Sequence, residues 1–510
     1  MFDLGRTFLQ SVERRPSSLA VVDGDTRLSY AQWFERIRAV AGGLAGLGLA
    51  RGDHLVVVMQ NRWEMATLHW ACQFLGVIVT PLNWRAKADE IEYCANDAEA
   101  KAIAFEGISA EGVAGSAACA KIPRIAVGGA AGGTIAFEAL LAAKPMATLL
   151  NASADDVSLM LYTSGTTGKP KGVPRRHRAE RMAAVAQVAQ YRMRVGEVTL
   201  GVMPMYHTMG VRSLLAAAII DGTVVCLPRF DATLALRLIA AEKITNLFLV
   251  PTLYHDLLAA PGFSQFDISS VRTLGFAGAP MADALLKRLQ DTFRPQLFVN
   301  HYGSSEIYTF SIEPDAPGKP GSAGRAGYNA RVRVVKLDPA DRKSTPDDLA
   351  APGEEGQIIA ELGGDEAFEG YWKRPDADAK SLRSGWYFTG DTGVVDADGD
   401  LFVTGRVDDM MISGGENISP VDIESVLSFH PAVDEVAVAG LPDERWGQKV
   451  VAFIKAKGAV DAAGLDAYCR ESTLPNYKRP REYVFVKEIP KSPVGKILRR
   501  KLVSGEYDAA

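Results

Sequence analysis

The feature that most narrows the fold is an alternation of helix-length and strand-length apolar patterns through the first 300 residues. Helical periodicity over Asp3–Arg14, Tyr30–Leu47, Trp63–Leu75 and Lys87–Asn96 is interleaved with short apolar runs. Those runs are His54–Met59, Val77–Pro81, Ala100–Phe105 and Val157–Tyr162. Ser29 is a capping residue for the second helix, and Asp23-Gly24-Asp25 marks a hairpin before it. The rhythm resumes with a helix at Arg178–Arg192, strands at Val198–Met203, Thr223–Leu227 and Asn246–Val250, and helices at Met209–Ile220 and Asp231–Glu242. Strands at Val271–Ala277 and Leu297–His301 follow. Such βα repetition predicts mostly parallel sheets covered by helices, an α/β class. Ala110–Leu150 is rich in Ala and Gly and reads as a less regular connection.

From about Arg331 the texture changes. Short strands at Arg331–Leu337, Gly356–Glu361, Trp386–Asp391 and Leu401–Thr404, split by Gly, Asp and Pro, predict an antiparallel β subdomain at about 331–404. A compact αβ pattern ends the chain: helix Pro420–Phe429, strands Val433–Gly440 and Lys449–Lys455, helix Asp461–Ser472 and strand Glu482–Val486. The expected organisation is a large domain over 1–407 and a small α+β domain over 408–510. A length of 510 residues is enough for about three or four domain-sized units.

Composition excludes several classes. Charged residues are 23% and the net charge is −5, so no nucleic acid is expected as a bulk partner. Five cysteines lie far apart without a C-x-x-C pair, which fits a reducing, cytoplasmic setting rather than a disulfide or zinc framework. Met1–Arg15 lacks an apolar signal core. Met65–Leu82, the most apolar long stretch, carries His69, Gln73 and Gly76, and reads as a packed helix entering a strand, not a membrane span.

The chemistry concentrates in Tyr162–Gly172. Four hydroxyl side chains, two lysines and three glycines fall in eleven residues after an apolar strand. Hydroxyls, backbone N–H groups and ammonium charges suit a nucleotide triphosphate. The segment is not a Walker loop: only Thr166 and Thr167 separate Gly165 from Gly168, and Pro170 follows Lys169. The glycines of Gly43–Gly52 end a helix rather than open one, so they are not a dinucleotide fingerprint. Three later segments follow strand ends: Pro204-Met205-Tyr206-His207, Gly275–Pro280 and Tyr302-Gly303-Ser304-Ser305-Glu306. Ligands collect at carboxyl strand ends in open α/β sheets.

Together with Tyr387–Asp391, Gly405–Asp409 and Pro490–Lys496, these motifs resemble the adenylate-forming enzymes: acyl-CoA synthetases, luciferases and peptide-synthetase adenylation domains. Ile412–Ile418 and Arg445–Gln448 give the strongest likeness to bacterial aryl-CoA ligases of the chlorobenzoate and benzoate type. The resemblance implies a carboxylic acid–CoA ligase. The acid's carboxylate attacks the α-phosphorus of ATP, pyrophosphate leaves, and the thiol of coenzyme A then displaces AMP. Thr163, Ser164, Gly165, Thr166, Thr167, Gly168 and Lys171 would cradle the phosphates, and Glu306 with Thr166 would hold Mg²⁺. Asp391 would accept the ribose hydroxyls and Arg406 would donate beside it. Tyr302, Gly303, Ser304, Ser305 and the Gly278-Ala279-Pro280 strip would hold adenine. Lys496 is the implied catalytic lysine of adenylation and Asp408 the implied hinge of the small domain. Coenzyme A would meet Arg85, Gly414, Gly415, Trp446, Lys478 and Arg479. The acid pocket is expected from Ala186, His207, Phe248, His301, Gly303, Tyr308 and Thr309, with Phe276 beside Phe248 in its wall, and His207 is also a candidate catalytic residue with Lys496, Thr166 and Glu306. His301 and Tyr308 imply tolerance of a polar ring substituent, so the expected acid is a small aromatic or alicyclic carboxylate. Alternatives are a fatty acid–CoA ligase, transfer to a carrier protein, oxidation of the adenylate, or a nucleotide-binding regulatory protein. The expected partners are small molecules, with the chain a monomer or homodimer.

Overall fold

The structure is a computed structural model describing residues 2–129, 133–146, 152–163, 169–338, 343–414, 416–472, 474–491 and 497–510. The chain divides into two compact units: Met1–Arg331 with Glu361–Gly385, and Val332–Ala360 with Trp386–Ala510.

The first unit is built on two mostly parallel sheets. One has nine strands; its parallel centre runs Leu297–Tyr302, Thr273–Ala277, Asn246–Leu249, Val198–Gly201, Thr223–Cys226 and Leu19–Asp23 in spatial order. Register pairs Phe248 with Gly275 and Ala277 with His301, so neighbouring strands end side by side. The other sheet has seven strands, with Val157–Thr163 between Ile78–Leu82 and the edge strand Lys171–Arg176. The helix Trp63–Leu75 is buried along nearly all of its length, its Glu64, Thr67, His69 and Gln73 included. Phe8, Trp33, Trp70 and Phe74 pack there in a continuous core that also takes in Val57, Leu161 and Val224. All five cysteines are buried and free.

Two expectations change. Ala110–Leu150 contributes to the sheet: Arg124–Val127 pairs in parallel with Ala102–Glu106, and short helices lie at Ala110–Ala114 and Phe137–Leu141. A four-residue strand among alanines and glycines is too short to show a period. Lys171–Arg176 is also a strand, antiparallel to Val157–Thr163. Its Pro174 and three basic side chains argue against a central strand, and it occupies the sheet edge, where Pro is tolerated. Helices at Pro251–Ala259 and Asp283–Phe293 complete the βα units.

The second unit holds an antiparallel sheet with Val332–Val335, Gly356–Glu361, Trp386–Val395 and Leu401–Arg406. A second sheet pairs Val433–Asp443 with Gly447–Ala456, flanked by Met411–Ser413 and Glu482–Phe485. The helices Pro420–Ser428 and Ala462–Glu471 pack on it through Ile423, Leu427, Leu465 and Cys469.

Candidate functional site

In the first unit several candidate residues lie at or just beyond the carboxyl ends of strands. Gly278 leaves the strand Thr273–Ala277 with φ +85°, and Gly278, Ala279 and Pro280 are exposed. On the next strand Tyr302 packs on Phe310 at 5.1 Å between ring centroids. Gly303 follows, and a Cβ there would overlap the Tyr308 carbonyl oxygen, so only glycine admits this turn. Ser304 Oγ accepts from the Glu306 and Ile307 amides, and the Ser304 amide donates to the Ile307 carbonyl at 2.9 Å. Ser305 lies within that turn. The turn delivers Glu306, 6% exposed.

Two donors fix the Glu306 carbonyl: Arg175 Nη1 at 2.8 Å and the Phe368 amide at 2.9 Å. Arg175 is itself fully buried and ion-paired with Glu180 at 2.8 Å. The Tyr371 hydroxyl donates to the Glu306 carboxylate at 2.7 Å. Lys171 Nζ lies 4.0 Å from the centroid of the same Tyr371 ring. The structure thus brings Lys171 and Glu306 to one tyrosine that the sequence reading missed. Beside it, a Cβ at Gly172 would lie 3.0 Å from the Trp372 Cβ, and the Trp372 amide donates to the Gly172 carbonyl at 2.9 Å. Thr163 pairs in register with Lys171, the last pair of the hairpin before the residues that connect its two strands. Ser164, Gly165, Thr166, Thr167 and Gly168 lie outside the described residues.

Of the acid-pocket candidates, Phe248 and His301 share one sheet face. Phe248 pairs with Gly275, whose missing side chain makes room for the Tyr191 ring. Tyr191, Phe248 and His301 form a mutual ring cluster with centroids 5.5, 5.7 and 6.2 Å apart. Ala186 and Thr309 are buried too. Phe276 pairs with Leu249 and packs on Phe298, so it faces the opposite side of the sheet and is no part of this wall. Tyr308 also departs from expectation: its hydroxyl donates to Glu180 at 3.1 Å and Arg175 covers its ring at 4.2 Å. His207 caps the helix Thr208–Ile219; its Nδ1 accepts from the Met209 amide at 3.3 Å. Burial pushes its pKa down to about 4, so at neutral pH the proton sits on Nε2 alone. Arg85 is exposed and stacks on Trp84 at 3.6 Å.

In the second unit Asp391 and Arg406 are cross-strand partners, and Arg406 Nη1 donates to Asp391 Oδ1 at 2.7 Å. Gly390, at φ +77°, leaves room for the guanidinium. Asp408 is exposed in a short 3₁₀ turn, Val407–Asp409. Gly414, at φ +62°, donates its N–H to the Trp446 carbonyl at 2.9 Å and lies against the indole. Arg481 stacks on that indole at 3.7 Å and Arg445 at 4.9 Å. Lys478 and Arg479 are ion-paired with Asp422 at 2.6 Å and Asp466 at 2.8 Å. Arg499 binds Glu424 at 2.6 Å and Asp409 at 3.1 Å. Gly415 and Lys496 lie outside the described residues.

Comparison with known proteins gives this arrangement its relatives. The AMP-binding enzyme family matches residues 8–372, and its C-terminal domain matches 422–496. The chain belongs to the AMP-binding enzyme family. This AMP-binding enzyme is 34% identical over 505 residues to a 4-chlorobenzoate–CoA ligase of Arthrobacter sp, covering 96% of this chain and 93% of the relative. It is 33% identical to the long-chain-fatty-acid–CoA ligase FadD13 of Mycobacterium tuberculosis, over 94% of this chain and 93% of that one. Among solved structures, the O-succinylbenzoate coenzyme A synthetase MenE of Bacillus subtilis, in complex with ATP and magnesium ion, superposes with a TM-score of 0.84 at 27% identity. That match covers 97% of this chain and 98% of the other. The AMP-binding enzyme thus shares the adenylate-forming fold, and it is an AMP-forming acid–thiol ligase.

Proposed function

We propose that the enzyme is an ATP-dependent carboxylic acid–CoA ligase that works through an acyl-AMP, with a small aromatic or alicyclic acid as its substrate. The observation that carries the acid class is the Tyr191–Phe248–His301 ring wall at the strand ends. Flat rings pack against such walls with offset or edge contacts. A straight alkyl chain gains no comparable specificity from them.

The other roles follow the family motifs. Lys171, Thr163 and the residues 164–168 serve the phosphates. Glu306 offers the hard carboxylate oxygen that Mg²⁺ prefers, on a backbone held by Arg175 and Phe368. Bound there with Thr166, the ion would offset phosphate charge. Tyr302 and the exposed Gly278–Pro280 strip serve adenine, and the Asp391–Arg406 pair serves the ribose. Lys496 serves adenylation, with Asp408 as the hinge for the change to thioester formation. Gly414, Gly415 and Trp446 serve the thiol half, and Arg85, Lys478 and Arg479 the coenzyme A nucleotide. All-buried free thiols support a reducing, cytoplasmic location.

The likeness to FadD13 supports one competing reading, a long-chain fatty acid substrate. CoA-dependent AMP release from benzoate, hydroxybenzoates, cyclohexanecarboxylate, octanoate and palmitate decides between them. A cyclic acid is expected to have the highest kcat/KM. Palmitate ahead of every cyclic acid would replace the acid class while leaving the ligase reaction in place.

A further inference from the structure

Against the ring wall, one cation is buried with most of its donors unspent. Arg212, on the helix Thr208–Ile219, is 2% exposed. Its Nη1 lies 2.7 Å from His301 Nε2 and 3.4 Å from the Tyr308 carbonyl oxygen. Its Nε and Nη2 have no hydrogen-bond partner among the described residues. A guanidinium only donates. His301 Nε2 also lies 3.0 Å from the Tyr308 carbonyl oxygen, so it either accepts from Arg212 or donates to that carbonyl, and the ring nitrogen left over is Nδ1. That atom also has no partner among the described residues, and neither does the Tyr191 hydroxyl. The unspent Arg212 atoms can only donate, so what they lack is an acceptor. Buried donors are rarely left unmade in a native protein.

Charge narrows the acceptor. Arg212 and Arg175 share the same two acidic neighbours, Glu180 and Glu366, so two guanidiniums meet two carboxyl groups. The set is already balanced, and a second carboxylate on the ligand would be one buried negative charge too many. An uncharged oxygen accepts hydrogen bonds without that cost.

We propose that Arg212 is a specificity-determining residue that binds an uncharged oxygen substituent of the acid, a hydroxyl, methoxy or carbonyl oxygen on its ring. This rests on the reading that the Phe248–His301 wall receives the acid. The competing account is a water bridging Arg212 to Glu366, whose Oε2 also lacks a partner among the described residues.

The test measures acid-dependent pyrophosphate release for matched pairs: benzoate against 3- and 4-hydroxybenzoate, 4-methoxybenzoate and 4-acetylbenzoate. The wild type is expected to favour at least one oxygen-substituted acid over benzoate by tenfold or more in kcat/KM, since a site built to hydrogen-bond a substituent rejects the analogue without it. Arg212→Met should bring that ratio to within twofold of unity. Arg212→Gln, which keeps amide donors, should restore part of it. A wild-type ratio within twofold of unity for all four acids overturns the proposal, as does an unchanged ratio in Arg212→Met. If Arg212→Met does not fold, the wild-type ratio with Arg212→Gln decides by the same limits. Turnover of octanoate or palmitate but of no ring acid would instead overturn the aromatic reading beneath it.

Discussion

Tyr371 joins two groups that the sequence reading had assigned to phosphate and metal separately. Its ring meets Lys171 and its hydroxyl meets Glu306. A hydrogen bond to a charged group is worth roughly 1.5–3 kcal/mol. Tyr371→Phe keeps the ring under Lys171 and removes only the donor to the carboxylate. We expect adenylation kcat/KM to fall about ten- to a hundredfold, with a raised Mg²⁺ requirement, read as pyrophosphate release against Mg²⁺ concentration. An unchanged Mg²⁺ curve would make the hydroxyl merely structural. The residues legible in advance were those whose type and spacing carry a motif, such as Lys171, Glu306, Asp391 and Arg406. Tyr371, Arg212 and Tyr191 were not legible, because their partners lie 57 to 200 positions away on other elements and no local pattern marks them.

At the scale of elements, the long βα alternation was readable because each strand and helix has its own period. The strands Arg124–Val127 and Lys171–Arg176 were not, one for brevity and one because its place at the edge frees it from apolar patterning. The turn Val407–Asp409 is the element on which the two half reactions are proposed to depend. Rotation about Asp408 would break the bond from Ser419 Oγ to the Thr404 carbonyl, 2.7 Å, which bridges the two sides of that turn. Asp408→Pro fixes φ near −65°. It is expected to slow thioester formation from pre-made acyl-AMP at least tenfold more than adenylation, in single-turnover measurements of each step. Thioester formation at the parent rate would move the hinge elsewhere.

For the whole molecule, the first unit buries a set of imidazoles in neutral form. Burial holds His54, His177 and His207 down at about 4 and His69 at about 3. Their ordinary pKa is about 6.5, so between pH 6.5 and 4 the unfolded chain binds protons that the folded one refuses. The stabilisation is complete above pH 6.5 and is lost as pH falls toward 4, by up to about 1.4 kcal/mol per pH unit for each histidine. The Tm of the first unit should therefore drop between pH 7 and 5 more steeply than that of the second, whose His430 shows no comparable burial. Calorimetry at several pH values checks this, and parallel lines for the two transitions would contradict it. Among the described residues, no helix is long and apolar enough to cross a membrane. The buried cysteines have one more consequence. Cys72, Cys94, Cys119 and Cys226 belong to one unit and Cys469 alone to the other. A water-borne thiol reagent is thus an internal tally of opening: one sulfur released marks the small unit, four mark the large one, and the folded enzyme is silent to it.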